Sequence, residues 1–215
     1  MSIEGYEVDE ELIQQVSKNN WNPDLNPGHR KARDILAARG YYEARVEVRN
    51  SIEKILGIES PGPTIELDLQ KWYRKLFGPS VKVNILREED LYGYRRNQVF
   101  IRGSRHTPLP REALLDAMEA FFECLSGEPH AAVRAILGHF FFVYIHPYMD
   151  GNGRLGRFIM NAMLASGGYP WTIIQVKNRV TYFAALESAS VSGDVESFTC
   201  FVAREMKRSS NDSED

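Results

Sequence analysis

The stretch "HPYMDGNGRLGR", His146 to Arg157, sets a histidine, an aspartate, three glycines, an asparagine and two arginines within twelve positions. Histidine accepts a proton near neutral pH, so His146 is a candidate general base. Asp150 is the one hard carboxylate of the stretch. It could hold Mg2+, which commonly takes one or two carboxylates together with phosphate oxygens and water. Gly151 and Gly153 permit close approach of backbone N–H groups to a ligand, and Asn152 can add an amide hydrogen bond to a phosphate oxygen. Arg154 and Arg157 stand three apart, close enough on a helix to clamp one polyphosphate together. Each piece alone has a plainer reading as a turn or a solvated ion pair; the combination in one short loop does not.

These residues need elements to position them. The apolar stretch "AILGHFFFVYI" belongs to a predicted helix over 129–146, which must end at His146 because the residue before a proline is pushed out of helical geometry. The next predicted helix starts near Gly153-Arg154 and runs over 153–166. The backbone N–H groups of "DGNG" then sit at its N-terminus, where unpaired donors and the helix dipole favour an anion. Helical spacing also marks residues 7–17, about 30–56 (with Val46, Ile52, Ile55 and Leu56), about 66–77 (with Leu67, Leu69, Trp72, Tyr73 and Leu76 inward), 110–126, 178–190 and 194–207. The segment "YRRNQVFIRGSRHTPLP" differs: Val99 and Ile101 alternate with polar or outward neighbours before a Gly-Ser turn, which predicts a β-hairpin or extended flap. The class expected is mainly α with one β-hairpin.

Composition bounds the rest. With 215 residues, 43% hydrophobic and 26% charged, the chain suits one sizeable core with an appended segment. A formal charge of -3 gives no general reason to expect nucleic acid or an anionic membrane as partner, so an anion site must be local. Cys124 and Cys200 stand far apart in apolar surroundings, which suggests small buried hydrophobes in a reducing compartment. No signal-peptide layout opens the chain and no apolar run is long enough to span a bilayer, so a soluble cytoplasmic protein is expected. The polar C-terminal run "RSSNDSED", residues 208–215, is expected to be disordered.

The motif resembles the signature of the Fic domain family, His-Pro-Phe-x-Asp/Glu-Gly-Asn-Gly-Arg-x-x-Arg, departing from it only at Tyr148. The resemblance extends over about residues 91–207: the 94–110 segment is similar to the family's flap, "LASGGYPW" to its post-motif turn, and "YFAALESASVSGDVESFTCFV" to its closing helices. It implies a Fic-type helical bundle over 65–207 behind an N-terminal helical segment, residues 1–64. It further implies transfer of AMP from ATP, with Mg2+, to a Ser, Thr or Tyr hydroxyl of a target protein. By position, His146 would be the base, Asp150 the Mg2+ ligand, and Gly151, Asn152 and Gly153 the anion hole. Arg154 and Arg157 would contact the β- and γ-phosphates, Gly156 belongs to the same ATP-binding run, and Tyr182 and Phe183 would line the nucleotide pocket. Val99, Phe100, Ile101 and Arg102 would align a target segment by strand addition. Ordinary core packing is the competing reading of Tyr182 and Phe183, and support of the buried helix is that of His139.

"SIEGY" near the start resembles the end of the family's inhibitory pattern Ser/Thr-x-x-x-Glu-Gly/Asn, with Glu4 pairing with Arg157 where a phosphate should go. The Ser or Thr of that pattern would fall before Met1, which implies a shortened N-terminus or an incomplete brake. Alternatives within the fold are phosphoryl transfer, against which Gly153 argues, and de-adenylylation. A nucleotide-sensing binding module would need no base, and a metal hydrolase on His139, His146 and Asp150 would explain neither arginines nor glycines. Target identity and oligomeric state, a homodimer included, stay open.

Overall fold

The computed structural model describes residue 3, residues 30–57 and residues 60–211. The helix expected over 7–17 and the carboxylate of Glu4 lie outside the described residues. Among those described, seven α-helices follow one another: α1 (Arg30–Ile55), α2 (Gly62–Lys82), α3 (Leu114–Gly127), α4 (Ala131–Ile145), α5 (Asn152–Ser166), α6 (Arg179–Ser192) and α7 (Val195–Asn211). Short 3-10 turns stand at Glu88–Leu91, Arg111–Ala113 and Val176–Asn178. The mainly helical class therefore holds.

Helix α4, "AAVRAILGHFFFVYI", is apolar almost all round, the pattern of an interior helix. It packs on α5, whose residues from Leu155 to Leu164 are all buried. Glycine makes their approach close: a methyl on Gly156 would come 3.0 Å from Val143 Cγ2. Helices α1 and α2 approach as closely, since a methyl on Gly40 would lie 1.9 Å from the carbonyl oxygen of Leu76. That pair is also bridged by polar groups. Trp72 Nε1–H donates to Ser51 Oγ at 3.1 Å, and Ser51 and Lys54 both donate to Asp68, at 2.6 and 2.7 Å. Trp72, Phe142, Phe158 and Phe198 fill the space between layers.

Four expectations change. The 94–110 segment holds no strand, and no strand occurs among the described residues. Its cross-loop hydrogen bonds come from side chains instead of a backbone ladder. Arg95 reaches the carbonyls of Asn97 and Leu109, and Gln98 those of Val99 and Pro108. Pro108 and Pro110 have no N–H to give a ladder. A turn at the tip, with Ser104 N–H donating to Ile101 at 3.1 Å, is all that survives of the hairpin. Leu67 is exposed, because the inward stripe of α2 passes through Ile65, Leu69, Trp72, Tyr73 and Leu76 and leaves position 67 on the far side. Cys124 and Cys200 are free thiols on exposed helix faces, their apolar neighbours in sequence turning inward while they turn out. Residues 208–211 continue α7, with Ser209 buried; 212–215 lie outside the described residues.

Candidate active site

Helix α4 ends before Pro147 as expected, and His146 lies in the left-handed region, φ 55 and ψ 59, a conformation that a non-glycine residue keeps only when its surroundings enforce it. Two contacts do so. His146 Nδ1 lies 3.0 Å from the carbonyl of Val143, which can only accept, so Nδ1 carries the proton and Nε2 the lone pair. The His146 carbonyl in turn accepts from Arg95 Nε at 2.8 Å. Burial pushes the imidazole below its ordinary pKa, with the Arg95 cation adding to the effect and the Val143 bond and Asp150 opposing it. These surroundings favour the neutral imidazole.

The turn that follows is built on Asn152. Its Oδ1 accepts from the N–H of Tyr148 at 3.0 Å and its Nδ2 donates to the Tyr148 carbonyl at 2.8 Å, with the side chain 1% exposed. Both ends of the amide therefore hold the loop's own backbone. Tyr148 anchors the same loop by stacking on Tyr73 at 4.0 Å between ring centroids, which explains why an aromatic residue is needed there. Gly151 caps α5 with φ 84, and a side chain on it would meet Phe77 at 2.9 Å. The N-terminal N–H groups of α5 consequently face the loop, as an anion cradle requires.

Asp150 is the open carboxylate, 64% exposed, and Arg154 Nη2 lies 3.4 Å from its Oδ2. One exposed carboxylate suits Mg2+, which takes most of its ligands from phosphate and water, and no cluster of three metal-ligating side chains occurs among the described residues. His139, His146 and Asp150, the residues of the hydrolase reading, form no such cluster. Arg154 is buried beneath the loop, its guanidinium 5.1 Å from the Phe77 ring centre. Arg157 is also buried, one turn further along α5. Gly156 faces α4, where a side chain would meet Val143 and His139. A cleft of about 1050 Å3 borders the loop on the side of Asp150 and Arg154, with Tyr73, Phe77, Tyr94 and Tyr148 among its walls.

His139 is fully buried, 2.9 Å from the Tyr182 hydroxyl and packed against Phe198. Burial, with the nearby Arg157 cation, pushes its pKa down to about 3, so it is a neutral support. Tyr182 is 1% exposed and belongs to this core pairing, whereas its neighbour Phe183 is open on one side and lies under the Arg179 guanidinium at 4.9 Å. Val99 and Ile101 are half-buried, and Phe100 and Arg102 are exposed.

With this geometry in view, residues 64–164 match the model of the Fic/DOC family. The chain carries a Fic domain. A protein adenylyltransferase Fic of Nematostella vectensis is 44% identical over 115 residues, 52% of this chain and 26% of that protein. A second, from Drosophila willistoni, is 38% identical over 114 residues, 51% of this chain and 22% of the relative. The chain therefore spans about a quarter of the length of the curated relatives it matches. The fold of C. elegans Fic-1 superposes with a TM-score of 0.75 at 21% identity, over 99% of this chain and 61% of that one. A Fic-domain signalling protein of Bacteroides thetaiotaomicron gives 0.69 at 17%, over 96% and 80%.

Sequence reasoning missed three residues that build the Fic domain's site. Arg95 carries no signal in "YRRN" that separates it from Arg96. Glu187 accepts from Ser104 Oγ and from the Arg105 N–H, the latter at 2.8 Å, and these bonds hold its carboxyl below the usual range. Asn161 accepts from Thr172 N–H at 2.6 Å and donates to the carbonyls of Arg157 and Thr172, fixing the turn after α5. An asparagine on an otherwise apolar helix face was the one available hint.

Proposed function

We propose that the chain transfers AMP from ATP to a hydroxyl group of a target protein. The observation that carries this reading is the state of His146: Nδ1–H is committed to Val143, leaving the Nε2 lone pair as a base beside the glycine turn at the start of α5. In the reaction Nε2 takes the proton of the target hydroxyl, the hydroxyl oxygen bonds to the α-phosphorus, and the bond to the bridging oxygen breaks to release pyrophosphate. The α5 N-terminus binds the phosphate oxygens, and Arg154 and Arg157 lend positive charge beneath them. Asp150 would hold Mg2+, which when bound offsets phosphate charge. Loop residues 99–102 present the target segment, and Phe183 offers an aromatic face to the base. Incubation with ATP labelled at the α-phosphate, in parallel with ATP labelled at the γ-phosphate, tests the reading. Label should pass to protein only from the α position, and transfer from the γ position alone would overturn it.

Glu4 is the inhibitory carboxylate of this site, competing with the γ-phosphate for Arg157. Its support is the sequence resemblance and its neighbour: Ile3 is buried in the core and its carbonyl accepts from Arg179 Nε at 2.6 Å, at the start of α6. Replacing Glu4 with glycine should raise the transfer rate by roughly 10-fold or more, the size of a modest coupling free energy. Equal rates for the two proteins would remove the brake from the account.

A further inference from the structure

We propose that Arg95 is a positioning residue that locks His146 and the target-facing loop 97–109 into one unit. The inference rests on His146 being the base of the reaction proposed above.

Arg95 is buried, and among the described residues every hydrogen-bond partner of its guanidinium is a backbone carbonyl. Nε donates to His146 at 2.8 Å, Nη1 to Asn97 at 2.9 Å and Nη2 to Leu109. Its own backbone N–H donates to the carbonyl of Pro147 at 2.8 Å. One residue thus ties both ends of the loop to both residues at the root of the motif. Among the described residues no carboxylate pairs with it, and burial lowers its pKa. Only the planar fork of arginine can reach three carbonyls at once, so lysine or glutamine leaves at least one of them without its donor.

His146 needs this support because its left-handed backbone must be enforced from outside. The tip of the loop has anchors of its own. Glu187 holds Ser104 and Arg105, and the His106 ring stacks on Tyr144 at 4.1 Å between centroids with Nε2 2.9 Å from the Tyr144 carbonyl. Loss of Arg95 therefore frees the base of the loop and the peptide of His146 while the tip stays attached. The error falls on the distance between Nε2 and the presented hydroxyl, and misplacement of about 1 Å can cost about 100-fold in rate.

Arg95 also acts through charge. The groups facing His146 are Arg95 and His106 from the loop, Asp150 from the motif and the Val143 carbonyl of α4; of these, Arg95 and His106 disfavour the imidazolium, and Asp150 and Val143 favour it. Removing the Arg95 charge raises the His146 pKa.

The test compares Arg95→Gln and Arg95→Lys with the parent chain by AMP-transfer kinetics, ATP binding, NMR titration of the His146 imidazole, and thermal unfolding. In Arg95→Gln, kcat should fall roughly 10- to 100-fold with ATP affinity changed less than about 3-fold. Its His146 titration and the acid limb of its rate profile should both move to higher pH. Arg95→Lys should keep the titration and still lose rate, because charge is retained and the fork is not. A folded Arg95→Gln with parental kcat and titration overturns the proposal. If that variant does not fold, a parental kcat in Arg95→Lys overturns it equally. Failure of the underlying reading shows differently: His146→Ala would then transfer AMP at the parental rate, whereas the NMR shift depends on no activity.

Discussion

His146→Ala is expected to lower AMP transfer by about 100- to 10,000-fold, the range over which a positioned general base contributes. The chain should still fold and still bind ATP. The half-buried imidazole contributes little to the core, and the phosphate contacts proposed here come from α5. The pH dependence follows from the same residue. The base is active when neutral, and burial depresses its pKa below the ordinary value of 6.5. The acid limb of the parent chain's rate should accordingly have its midpoint below pH 6.5, where the imidazole takes a proton. Single-turnover kinetics across pH 5 to 8 would check both points. A variant that retains its rate, or an acid limb lying above 6.5, would place the base elsewhere.

Asn152→Ala carries the second large effect, and it acts on the loop's architecture. The substitution leaves the N–H and the carbonyl of Tyr148 without partners in a buried turn, at about 1–3 kcal/mol for each group. Partial relief by water makes about 2–4 kcal/mol a reasonable total, measurable by denaturant unfolding. Transfer should fall about 100-fold with it, since the turn sets where the α5 N–H groups lie. Asn152→Asp is the sharper control. It preserves the acceptor for Tyr148 N–H, turns the donor into a carboxylate facing the Tyr148 carbonyl, and adds negative charge beside the phosphate cradle. ATP affinity should therefore drop further in Asn152→Asp than in Asn152→Ala. Calorimetric titration giving the reverse order would overturn this expectation.

Both effects show how the motif's chemistry divides between what is local and what is not. His146, Pro147, Gly151 and the start of α5 were legible because they act within a few residues of one another. A proline forbids the helix to continue, a glycine takes φ 84, and a helix N-terminus leaves its N–H groups open whatever packs around it. The main helices were legible for the same reason: their apolar spacing is a local signal, and their ends fall within a few residues of expectation.

Asn152 marks the boundary. Its residue type was legible, but the hold of its amide on both backbone groups of Tyr148 was not, and Tyr148 in turn stacks on Tyr73, 75 positions earlier in the chain. Tyr182 is similar, since its hydroxyl meets His139 across 43 residues and takes it into the core. The hairpin misled because alternation of Val99 and Ile101 speaks only for an extended backbone. A ladder needs two partners with free N–H groups, and Pro108 and Pro110 withhold them.

The sequence by itself determined the reactive groups, their order along the loop and the helices that carry them, because each of these depends on neighbours within one or two turns. Only the tertiary structure decided which polar groups are buried and which hold the loop. Burial is a property of packed elements, and the contact that joins Arg95 to His146 spans 51 residues of chain.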